Sequence, residues 1–85
     1  MSFMRLQFSS DRGVPLASLP AGARGTIMVI HDDVEARVER LLALGVVPGA
    51  SVTVLQTSPA VVFLCDQTEL AVERGVADSI FVRLG

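Results

Sequence analysis

The chain has 85 residues and a mass of 9.0 kDa. A chain this short hides only about 60–65% of the surface its unfolded form exposes. One small core is all it can build, and a core plus an enclosed polar pocket of about 300–1,000 Å³ is a poor fit, which argues against an enzyme. Seven basic residues, all arginine, face nine acidic ones for a net charge of −2. Arg5, Arg12, Arg24, Arg37, Arg40, Arg74 and Arg83 are scattered among acids, unlike the clustered basic face with which nucleic-acid binders release counterions.

Hydrophobic residues make up 51% of the chain, more than so small a core can hold. The surplus is expected on the surface, where apolar patches serve as contact sites. The longest uncharged apolar stretch, Leu41 to Ala50, is interrupted by Gly45, Pro48 and Gly49. It falls far short of the roughly 20 residues that span a bilayer, so no membrane insertion is expected. Met1 to Phe8 carries Arg5 and lacks the apolar block of a secretory signal, which leads to the expectation of a cytoplasmic protein. Cys65 is the lone cysteine, so neither a disulfide nor a multi-thiolate zinc site staples the fold.

In chain order, residues 1–15 read as an N-terminal extension or edge strand, because Met4, Leu6 and Phe8 alternate with Arg5 and Gln7. Residues 16–85 form the domain. Leu16 to Leu19 make a short apolar turn, and Gly22 and Gly25 lead into a β-branched strand over Thr26 to Ile30. Val34, Val38, Leu41 and Leu42 then recur at helical spacing, predicting an amphipathic helix of about three turns. Asp32 with Glu35 outlines a capping box at its start. Gly45 is placed to close it, and Pro48-Gly49 suits a type II turn.

Ser51 to Leu55 alternates as a half-buried strand, Ser58-Pro59 breaks it, and Val61 to Cys65 is a second strand. Asp66 to Glu69 turns into a third at Leu70 to Val72. Glu73 to Ser79 reads as one helical turn or a loop, and Ile80 to Leu84 closes the chain as a strand. The fold class is therefore mainly β with one amphipathic helix, curled into a small barrel of about five strands, which leaves fewer open edges than a flat sheet.

Chemistry-bearing residues are few. No phosphate-binding loop is present, and there is no lysine to reach a phosphate. Cys65 alternates with Val61 and Phe63 and reads as a buried, inert thiol, with no base beside it for nucleophilic catalysis. His31, Asp32, Asp33 and Glu35 are the one cluster with ligand chemistry for a divalent cation such as zinc or ferrous iron, although contiguous ligands seldom converge on one ion. The bland reading of that cluster is a capped, solvated helix start. A proline-rich-peptide groove of the kind found in small barrels needs aromatic walls, and the chain has no Trp or Tyr.

Arg40-Leu41-Leu42-Ala43-Leu44-Gly45-Val46-Val47-Pro48-Gly49, followed by Val52 and Val54, carries the pattern R-L-x-x-L-G-x-x-P-G-x-x-V-x-V. This resembles the FeoA family, small proteins that accompany the ferrous-iron transporter FeoB. Leu16, Leu19, Gly22, Gly25, Ile27 and Ile30 resemble the opening of that family's pattern, and Leu70 to Val72, Ala77, Ile80 and Val82 its close. The resemblance implies an SH3-like β-barrel and a non-enzymatic accessory role on the cytosolic G domain of a FeoB-type transporter, with no cofactor required. Val62 and Leu64 are expected to face outward where relatives carry polar residues, favouring association with a partner or a second copy. The candidate partner-binding residues are Val62, Leu64, Val46, Val47, Pro48, Arg37 and Arg40. The competing expectation is a metal-responsive module that binds a divalent cation through His31, Asp32, Asp33 and Glu35, as a dimer.

Overall fold

The computed structural model describes residues 13–85. The expected strand at Met4, Leu6 and Phe8 lies outside them. Six strands, β1 (Val14–Pro15), β2 (Arg24–Ile30), β3 (Ser51–Gln56), β4 (Val61–Cys65), β5 (Thr68–Val72) and β6 (Ile80–Leu84), form one antiparallel sheet. Their order is β1-β6-β2-β3-β4-β5. Helix α1 (Glu35–Ala43) joins β2 to β3, and the one-turn α2 (Arg74–Ala77) joins β5 to β6.

The mainly-β class with one principal helix holds, with two differences from the expected barrel. Val14–Pro15 adds a sixth strand against Val82 and Phe81 of β6. The sheet also stays open, since β1 and β5 are its two edges and are not bonded to each other. Its curl comes from two irregularities, at Ile27/Val29 of β2 and at Val54/Gln56 of β3. An extra residue in one strand bends it and increases the local twist, which wraps the sheet around its inner face.

Period-2 alternation decides what that inner face holds. Val52, Val54, Val61, Phe63, Cys65, Ile80 and Val82 are buried, and Phe63 is the largest side chain fully enclosed. Leu16, the first residue of a 3-10 turn, and Leu19, just after it, join the core together with Ala77 of α2. Gly25 is required by close approach. A Cβ there would sit against the carbonyl oxygen of Arg83 and 2.5 Å from Cγ1 of Val82, so β2 and β6 can lie side by side only without a side chain at this position.

Helix α1 departs from its expected packing. Of the four residues on its predicted apolar face only Leu41 is buried, while Val34 is 46% exposed and Leu42 is also exposed. Its start differs too. Val34, in an extended conformation, immediately precedes the helix, and Asp32 lies two residues further back. The Asp32 carboxylate accepts the Val34 N–H at 2.8 Å and a guanidinium N–H of Arg37 at 3.0 Å. The capping box with Glu35 is therefore absent, because Asp32 lies two residues before the cap position Val34 and both its oxygens are engaged.

The end of α1 follows the sequence. Gly45 has φ +97°, its N–H bonds to the Leu42 carbonyl, and the Val46 N–H bonds to the Leu41 carbonyl, both at 3.0 Å. This is a Schellman closure, with the accompanying apolar contact between buried Val46 and Leu41. Val47 to Ala50 then makes the expected type II turn, closed by the Ala50 N–H to the Val47 carbonyl with Gly49 at φ +96°.

Candidate interaction surface

The buried alternation of β4 turns Val62 and Leu64 to the opposite face of the sheet, where both are half-buried. Register places Leu64 between Thr53 of β3 and Glu69 of β5, and Val62 between Gln56 and Ala71. Leu55, the residue displaced by the β3 irregularity, lies 45% exposed next to them. Leu55, Val62, Leu64 and Ala71 thus share the outer side of the sheet, with Leu55 and Ala71 exposed and Val62 and Leu64 half-buried. Leu55 was not among the candidates read from the sequence, although continuing the alternation of Val52 and Val54 sets it on the outer face.

The three residues of the helix-end turn divide. Val47 and Pro48 are exposed, but Val46 has no exposed surface at all. Val46 is therefore removed from the candidate interaction residues: the Schellman closure that Gly45 enforces turns its side chain onto Leu41 and into the core. Val47, one residue on, is turned out to solvent.

Arg37 and Arg40 both lie exposed on α1. Arg37 pairs with Asp32 at 3.0 Å, not with the neighbouring Glu35, Glu39 or Asp33. Among the described residues Arg40 makes no ion pair. A cleft of about 340 Å³ separates these two arginines from the end of β5 and the start of α2.

His31, Asp32 and Asp33 line a shallow depression of about 360 Å³ with Arg37 and Asp78; Glu35 is not part of it. His31 places its ring edge-on to Phe81, 6.2 Å between centroids, and its backbone N–H bonds to the Ser79 carbonyl. The Val34 N–H, and secondarily Arg37, hold the Asp32 carboxyl below its ordinary pKa against the opposing effect of burial. An arginine inside the depression repels a cation. No group of three or more His, Cys, Asp or Glu among the described residues could hold a metal ion. In this conformation the four residues form no such group: Glu35 lies outside the depression, and the partly buried Asp32 carboxylate is engaged at the helix start.

Cys65 is buried, its thiol 3.4 Å from the Gly45 carbonyl oxygen. Burial, with Asp66 beside it, pushes the thiol pKa up, away from the reactive thiolate. No described helix is long and apolar enough to cross a membrane.

Residues 14–84 match the FeoA domain. This chain belongs to the FeoA family. No curated protein matches it. A structure of an iron uptake regulatory protein, also called FeoA, is 26% identical, with a TM-score of 0.74 over 85% of this chain and 96% of its own. FeoA from Chlorobium tepidum is 30% identical, with a TM-score of 0.75 over 84% of this chain and 70% of its own. FeoA of Stenotrophomonas maltophilia, solved with zinc and described as a procaryotic SH3 domain protein, has a TM-score of 0.71 at 22% identity over 79% and 86% of the two chains. That likeness shows the SH3-like fold.

Proposed function

We propose that this chain is a non-enzymatic accessory of ferrous-iron uptake, acting in the cytoplasm by docking on the cytosolic G domain of a FeoB-type transporter. The reading is carried by one observation within the FeoA fold: Leu55, Val62, Leu64 and Ala71 form a partly exposed apolar cluster on the outer face of the sheet, bordered by Thr53, Gln56 and Glu69. Val47 and Pro48 offer a second exposed apolar turn. A partner covering such a face gains about 25 cal/mol per Å² of apolar surface removed from water. The buried Cys65 thiol, with its pKa raised, fits the non-catalytic reading. Val62 and Leu64 are the central docking residues, with Arg37 and Arg40 supplying charge nearby.

The test is calorimetric titration of the transporter's cytosolic domain into wild type and into the double variant Leu55→Asp/Leu64→Asp. Circular dichroism confirms that both are folded. Binding by wild type, weakened about ten-fold or more in the variant, is expected for apolar side chains at a desolvated centre. Equal affinities would remove the sheet face from the interface, and no binding by wild type would overturn the docking reading.

A further inference from the structure

Among the described residues, strand β5 ends the sheet with one side unpaired. The two-residue turn Asp66-Gln67 sets Cys65 opposite Thr68, Phe63 opposite Leu70 and Val61 opposite Val72. In a hairpin closed this way those pairs exchange the backbone bonds. The N–H and C=O groups of Glu69 and Ala71 therefore point away from β4, toward the open edge. Ala71 also lines the 340 Å³ cleft beside α1.

The cleft has the features an added strand requires. Its helix wall brings Leu41 and Leu44 for apolar side chains, with Arg37 and Arg40 beside them, and its other wall brings Ala71, Val72 and Val76. Arg37 is engaged by Asp32, whereas Arg40 has no carboxylate partner among the described residues. Glu73, at the start of α2, lies on the wall opposite the arginines.

We infer that this cleft binds an extended peptide segment of a partner protein, which adds to β5 through Glu69 and Ala71 and places a carboxylate on Arg40. Main-chain bonding to the edge supplies the general affinity, and the apolar and basic walls select alternating side chains with one acid among them. The segment rests on the docking reading for its biological source, but the site is testable without the transporter.

The probe is a blocked synthetic pentapeptide, Thr-Val-Glu-Val-Thr, compared with its Thr-Val-Lys-Val-Thr counterpart by amide NMR of the full chain. Saturable shifts centred on the Glu69 and Ala71 amides with the acidic peptide alone are expected. The surface change Arg40→Glu should weaken that binding about ten-fold. Ala71→Pro should abolish it, since proline removes the edge donor while remaining tolerated on an edge strand. Absence of saturable shifts at millimolar peptide, equal binding of the lysine peptide, or shifts confined to another face would each overturn the inference. Such a failure leaves the transporter titration untouched, so the two readings fall separately.

Discussion

Two adjacent valines after α1 offer the sharpest check on how the helix end is built. Val46 is 0% exposed and packs with Leu41, whereas Val47 is 37% exposed. Replacing Val46 by alanine deletes two buried methyl groups, about 0.8 kcal/mol each in transfer terms. A cavity contribution adds to this, because the Schellman closure and the sheet behind it restrict collapse, for a total of about 2–3 kcal/mol. For a domain of this size each kcal/mol lowers Tm by about 4–8 °C, so Val46→Ala should melt about 10–20 °C below wild type. Val47→Ala should change stability by no more than about 0.5 kcal/mol. Thermal circular dichroism on the two variants, with urea midpoints as a second measure, makes the comparison. Equal losses, or a greater loss for Val47, would refute the assignment of Val46 to the core.

Gly25→Ala should cost about 2–3 kcal/mol, because its Cβ meets the β6 backbone at Arg83 and must push two paired strands apart. Gly22→Ala, with φ +92° and no atom within 4 Å of the new Cβ, carries only left-handed strain of about 1–2 kcal/mol. Urea melts that rank Gly22→Ala as the more damaging would contradict the close approach of β2 and β6. The depressed pKa of Asp32 makes its contribution to stability full above its ordinary 3.8, and that contribution is lost as pH falls through the lower folded-state value. Wild type should therefore exceed Asp32→Asn in stability near neutrality, with the gap closing below pH 3.8; a gap constant across an acid titration would show that the charge is not involved.

Much of the fold is legible in the residues because short-range physics decides it. The alternation of Val52 with Val54 and of Val61 with Phe63 and Cys65 allows only one face to be buried, and the helix end at Gly45 needs a positive φ that glycine adopts freely. The outward placement of Val62 and Leu64 follows from the same period. A pattern of this kind is a property of neighbouring residues, so it can be read before any long-range contact is known.

Other features depend on which distant segments meet. Helical spacing put Val34, Val38, Leu41 and Leu42 on one stripe, but the curled sheet has room to bury only Leu41, leaving much of that stripe in water. Asp32 reads as a cap by its type and position, yet the bend at Asp33, the extended Val34 and the reach of Arg37 give its oxygens other partners. Val46 and Val47 are chemically identical, and only the path of the backbone after Gly45 separates a core residue from a surface one. The residue order of the chain determined the five longer strands, the turns at Gly45 and Pro48-Gly49, and the buried face of β3 and β4. Tertiary structure alone decided how far the sheet closes, which stripe of α1 finds a neighbour and where a cleft opens beside β5, because those depend on the space left once Phe63 and its surroundings are packed.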